Sequence, residues 1–308
     1  MNRFLKNIPM PAVGLMLSFA ALGNLLQSYA DIYKNILGII SAALFILMTL
    51  KFLCNFPGLK NDLSTPIGAS VFPTYSMCIM LLASYVKPYY GGAAYGIWIA
   101  GILLHIVLIL YFTNKFIRGF KIMQVFPSWF IVYVGIAVAA VTGKLFHPMI
   151  GQLAFGFGLI SYFILLVIVG RRIFIVKEIP EPAMPTLIIC SAPGSLCLAG
   201  YINSFDEKNM MLFWFLLIIS QGIYIFAIIK LFALLKLKFY PSYSGFTFPL
   251  VISAMALKLS NGFLINQGIP VTAFSILVKI EEIIAIAIVF YVFIRYLMFL
   301  IKAKPSKS

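Results

Sequence analysis

"GFTFPLVISAMALKLSNG", residues 245–262 of the 308-residue chain, carries two signals that conflict. It is apolar enough to sit in lipid, yet Pro249 lies inside its apolar run and Lys258 follows nine residues later. Proline breaks the helical hydrogen-bond ladder. A lysine within a membrane span usually faces a cavity or a partner. A helix with both features belongs inside a bundle, with its polar irregularities turned away from lipid.

The rest of the chain supplies that bundle. It is 63% hydrophobic and 10% charged, whereas soluble domains are about 45–50% apolar and about 25% charged. Ten apolar stretches have about the 20 residues needed to cross a bilayer. They cover 9–29, 35–55, 66–86, 94–113, 123–143, 149–170, 183–203, 210–235, 246–265 and 271–300. Short connections leave no room for a soluble domain, so residues 1–308 read as one all-α transmembrane domain, with short tails at about 1–8 and 301–308. An alternative reading of the first span as a signal peptide, cleaved near Ser28–Ala30, would break the repeat described below.

A net charge of +15 would suggest nucleic acid in a soluble chain. Here the basic residues punctuate the spans, so topology explains them and no nucleic-acid partner is expected. Seventeen of the 23, from Arg3 and Lys6 to Lys302, Lys304 and Lys307, fall on the side of the N-terminus. Lys34, Lys87, Lys144, Lys208, Lys258 and Lys279 fall on the other. Both termini are therefore expected in the cytoplasm. Cys54, Cys78, Cys190 and Cys197 show no metal-ligand spacing and read as small buried residues. No metal or cofactor is expected. The absence of DxxxD, HExxH and phosphate-loop patterns argues against an enzyme.

Prolines within spans fall at Pro11, Pro73, Pro127, Pro193 and Pro249, in spans one, three, five, seven and nine. Their period is roughly 60 residues, the mark of an internal repeat. The odd spans are rich in small residues, as in "GIAVAA" at 135–140 and "CSAPGS" at 190–195. Several even spans are bulky, as in "FWFLLIISQGIYIF" at 213–226. Small residues let helix backbones approach closely. The pattern predicts five tandem helical hairpins in a quasi-five-fold ring, odd helices inside around a central pore and even helices facing lipid. The prolines are expected to kink the inner helices and free carbonyls toward the axis.

The residues preceding the prolines are Met10, Phe72, Phe126, Ala192 and Phe248. Equivalent repeats would place them at one level, where phenylalanine rings could form a hydrophobic constriction or pack between helices. Lys258 has two readings. It pairs with Glu281 or Glu282 of span ten, or it attracts anions at the outer mouth together with Lys87 and Lys144. His105 reads as a packed histidine. Asn24 and Tyr201 are candidate polar contacts of unassigned direction.

The combined pattern resembles the tellurite-resistance/dicarboxylate transporter family, which includes bacterial TehA and the plant guard-cell slow anion channel. "GFTFPLVISAMA" at 245–256 and "PMPAVGLMLSFAALG" at 9–23 carry the resemblance most specifically. It implies a homotrimer of independent pores in a bacterial inner membrane. It also implies that Phe248 occludes a pore lined by the odd helices. The glutamates of span ten match no pattern of that family. The function expected is an anion channel passing small inorganic or organic anions. The alternative is a proton-coupled carrier of dicarboxylate, sulfite or tellurite oxyanions, for which the odd spans offer no titratable coupling residue.

Overall fold

The computed structural model describes residues 2–302, with side chains from residue 5. Lys304, Lys307, the Arg3 side chain and the end of the 301–308 tail lie outside the described residues. Among the described residues, eight helices are long and apolar enough to cross a membrane, and two shorter apolar helices, Met10–Leu26 and Trp129–Val141, stand where the first and fifth spans are expected. We number them α1 (Met10–Leu26), α2 (Asp31–Cys54), α3 (Pro66–Val86), α4 (Gly91–Ile117), α5 (Trp129–Val141), α6 (Pro148–Val176), α7 (Glu181–Ser204), α8 (Met210–Leu234), α9 (Pro241–Asn266) and α10 (Thr272–Lys302). Short helices at Asn2–Asn7, Phe56–Asp62 and Gly143–Phe146 cap the ends of the bundle. No strand occurs among the described residues.

Successive helices pair as five hairpins, and the odd members form the interior. Within their most apolar windows, α3, α7 and α9 are 78%, 89% and 67% buried, against 22–33% for the five even helices. The even helices are apolar even where they face outward. Ile39, Ile46 and Leu53 make an exposed stripe at seven-residue spacing along α2. Ile218, Ile225 and Phe232 repeat it on α8. A stripe of that kind is stable in lipid and not in water, which makes this a multi-pass membrane fold.

The inner helices close into a ring, and every junction carries a side-chain hydrogen bond. Asn24 of α1 donates to Ser84 of α3 at 3.4 Å. Ser70 of α3 meets Ser128, which leads into α5, at 2.6 Å. Ser204 and Asn203 of α7 donate to the Ala140 and Val141 carbonyls of α5 at 2.7 and 2.8 Å. Ser195 of α7 meets Ser253 of α9 at 3.0 Å. Ser18 of α1 donates to Thr247 of α9 at 2.5 Å, completing the circuit. Such bonds contribute only about 0.6 kcal/mol each in membranes, so close packing supplies the rest. A methyl group placed on Gly200 would stand 2.8 Å from the Ala140 Cβ, and one on Gly14 3.0 Å from the Ser244 Cβ.

The prolines fall at irregular points of the inner helices. Pro11 sits in a 3₁₀ turn (Met10–Ala12). Pro73 separates two α-helical stretches of α3, Pro66–Val71 and Thr74–Val86. Pro127 lies two residues before Trp129, so α5 starts later than the sequence suggests. Pro193 and Pro249 are the third residues of α-helical stretches that follow 3₁₀ segments, Glu181–Cys190 and Pro241–Phe246. At such transitions the α-helical ladder is already interrupted, so a missing N–H costs less than in mid-helix.

Gly200→Leu is expected to destabilise the ring by overpacking, costing about 1–3 kcal/mol, read as a lowered melting temperature in detergent. Gly96→Leu, on an α4 face with nothing within 4 Å of the added carbon, should leave it nearly unchanged.

Candidate functional site

Two cavities lie along the axis of the ring. The first opens toward the face where α1 begins and α10 ends and holds about 60 Å³ of space accessible to water. All five inner helices line it and no even helix does. The wall includes Gly14 of α1, Thr74 of α3, Gly135 of α5, Ala192 of α7 and Phe248 of α9. The second opens toward the opposite face and holds about 500 Å³ on the same basis. Leu196 of α7 and Phe248 of α9 line both cavities. They are 2% and 7% exposed.

The aromatic positions of the repeat do not behave alike. Phe248 stands on the axis. Phe72 instead packs against Phe52 of α2 at 5.3 Å between ring centroids and stacks on Tyr75 at 5.8 Å. Phe126 is buried, and neither it nor Phe72 lines an axial cavity. Of the two readings open for these rings, Phe72 packs between helices, and only Phe248, with Leu196, lines both cavities. Leu196 has no counterpart in the proline register and could not have been singled out from the sequence. Phe246 is fully buried against Tyr243, 4.7 Å away.

The two cavities differ in charge. The first is uncharged. Its hydroxyls are engaged locally, with Thr74 donating to the Val71 carbonyl and Thr186 to that of Ala183, each at 2.6 Å. Such a wall offers few free donors and no strong anion site. The second has Lys34, Lys87 and Lys258 on its wall, with Asn24 and Asn203. No Asp, Glu or His lines either cavity among the described residues. Lys144, expected at this mouth, is exposed and off the wall. Burial, then the charge of Lys144, hold Lys208 below the ordinary lysine range. Lys34 takes the place expected for Lys144, donating to Gln27 Oε1 at 3.0 Å.

Lys258 lines the cavity and is paired as well. Its Nζ lies 2.6 Å from Glu282 Oε1 and donates to the Leu25 carbonyl at 3.0 Å. Tyr29, in the α1–α2 turn, donates to Glu282 Oε2 at 2.5 Å. That bond raises the Tyr29 phenol to about 12. Glu281 does not take part. One residue along a helix is a rotation of about 100°, which turns its carboxylate toward Gln221 and Tyr224 of α8. Tyr201 is likewise off the axis, accepting from the Asn209 amide at 2.6 Å. Cys78, Cys190 and Cys197 are buried, but Cys54, at the end of α2, is exposed.

His105 of α4 is buried behind the wall. Its Nδ1 lies 2.8 Å from Ser76 Oγ on α3, and its Nε2 3.1 Å from the Val132 carbonyl on α5. A neutral ring with the proton on Nε2 donates to Val132, and its Nδ1 shares the single Ser76 hydroxyl hydrogen with the Pro73 carbonyl, 2.7 Å from Ser76 Oγ. His105→Leu should leave Ser76 and Val132 without these bonds in a dry interior, at about 1–3 kcal/mol. Thermal unfolding in detergent should report a lower melting temperature.

Comparison with known proteins agrees with this architecture. Residues 7–297 match the SLAC1 family, described as voltage-dependent anion channels. An uncharacterised transporter of Methanocaldococcus jannaschii is 24% identical over 228 residues, 67% of this chain and 64% of the relative. The match therefore spans under two thirds of that relative's length.

Proposed function

We propose that this chain, which belongs to the SLAC1 family of voltage-dependent anion channels, is itself a channel that passes small anions along the axis of its inner helices and is held shut by Phe248. Membership makes it a membrane protein of anion transport. The observation that carries the finer reading is the pair of axial cavities sharing only Leu196 and Phe248 on their walls. A bulky apolar residue at a constriction gates by excluding water. The lysine-bearing mouth supplies a field that concentrates anions. The uncharged cavity beyond it holds them weakly, and throughput requires that an ion leave as readily as it enters. The repeat explains why one ring can do this. Ala192, the equivalent of Phe248 on the neighbouring α7, also lines the first cavity, and its small side chain leaves room for the Phe248 ring on the axis.

A proton-coupled carrier of dicarboxylate, sulfite or tellurite oxyanions needs a titratable group that both protons and substrate can reach. Neither wall carries a carboxylate or imidazole among the described residues, which favours the channel. Cytoplasmic termini, a bacterial inner membrane and assembly as a homotrimer with one axis per protomer complete the reading. The first rests on the distribution of basic residues, the others on the family resemblance.

Phe248→Ala, reconstituted in a planar bilayer, should carry a large ohmic, anion-selective current where the parent carries little. Leu196→Ala should produce a smaller rise. Absence of current in Phe248→Ala, with saturable uptake driven by a pH gradient, would overturn the channel in favour of the carrier.

A further inference from the structure

Lys258 and Glu282 form an ion pair whose two members face different spaces. Lys258 is on the wall of the lysine-bearing axial cavity, with its side chain 25% exposed. Glu282 is absent from that wall and its side chain is 4% exposed. It stands behind the ammonium, beside a separate outer groove between α2 and α10 lined by Leu37, Ile286 and Phe290. The axis therefore meets the cation first and the anion second.

The pair is held rigidly. Leu25 O binds the ammonium, Tyr29 donates to the second carboxylate oxygen, and the Tyr29 ring lies 4.4 Å from Lys258 Nζ. Charges on the surrounding elements do not substitute for it. Lys279 of α10 lines the outer groove with Glu282. Asp31 of α2 accepts from Gln27 at 3.1 Å, next to the Lys34–Gln27 bond. Lys87, at the end of α3, lies over the Phe146 ring at 5.2 Å. Lys258 is thus the one cavity lysine with a carboxylate fixed directly against it. A cation backed by an anion 2.6 Å away acts at a distance as a dipole, and its field falls faster than that of a free charge.

We propose that Glu282 is a specificity-setting residue that acts through Lys258: its charge caps the anion-attracting field of the outer cavity, so that small anions are gathered there without being retained. The inference rests on the channel reading of the axis. Glu282 touches no permeating ion. Replacing it with glutamine keeps one oxygen acceptor for Lys258 and turns an amide NH2 toward the Tyr29 hydroxyl oxygen, which can accept, while removing the charge that cancels Lys258.

The test is conductance per channel in the Phe248→Ala background, at 0.1 and 1 M KCl. Glu282→Gln should raise anion conductance about two- to five-fold at 0.1 M and much less at 1 M, because the screening length falls from about 10 Å to about 3 Å. Lys258→Met should lower it. The double variant Lys258→Met/Glu282→Gln, which buries no unpaired charge, should return to within about two-fold of the background. If Phe248→Ala conducts but these substitutions leave conductance unchanged at both salts, Glu282 is only a structural partner and the inference is overturned.

A current-free Phe248→Ala would instead count against the channel, and the field can then be read without current. In a Cys54→Ser background, a cysteine at Met255 on the outer wall is labelled with negatively and positively charged thiosulfonate reagents. Glu282→Gln should raise the negative-to-positive rate ratio several-fold, and an unchanged ratio overturns the proposal.

Discussion

Everything in this structure depends on one constraint: inside a bilayer, helices gain nothing from burying apolar surface against one another, so the inner ring must hold together by close contact and by hydrogen bonds. The chain meets this with small residues and hydroxyls placed at every junction. Ser18–Thr247 and Ser195–Ser253 bind α9 to its two neighbours. Ser70–Ser128 and the Ser204 and Asn203 bonds do the same for α5. Gly200 and Gly14 permit the backbone approaches that those bonds require. The hydroxyls of Thr74 and Thr186, which do reach the first cavity, are bonded to carbonyls of their own helices, and its wall carries no charge.

The same economy explains the prolines. Each of the five inner helices carries its proline where a turn or 3₁₀ segment gives way to an α-helical stretch. Proline is tolerated at that transition. The junction on α9 places Phe248 one residue before Pro249, on the axis, whereas the junction on α3 sends Phe72 sideways onto Phe52. Equivalent positions in a repeat share backbone geometry without sharing side-chain direction, so of the three phenylalanines that precede prolines only Phe248 lines the axial cavities.

Much of this was legible in the sequence. The ten spans, their pairing and the inside–outside alternation follow from apolar length, small-residue content and proline period. These are properties of whole segments and survive errors of a few residues. The late start of α5 was less visible, because "MQVFPSW" at 123–129 is apolar enough to read as span while Pro127 delays the helix. At the site, place in the repeat offered Phe72, Phe126 and Phe248 alike, and the family resemblance singled out Phe248. Nothing singled out Leu196, since one leucine among many carries no signal. The choice between Glu281 and Glu282 turned on a rotation of α10 that no spacing fixes, and the exchange of Lys144 for Lys34 turned on where the cavity wall ends.

The central claim is that a single layer, formed by Phe248 and Leu196, separates two aqueous cavities on one axis. Membrane-impermeant thiol reagents applied to each face in turn test it most directly, with cysteines placed at Thr74 on one side of the layer and Met255 on the other. The account predicts that each cysteine reacts from its own face alone while Phe248 is present, and from both faces once Phe248 is alanine. Reaction of either cysteine from both faces in the presence of Phe248, or continued one-sided access after its removal, would contradict it.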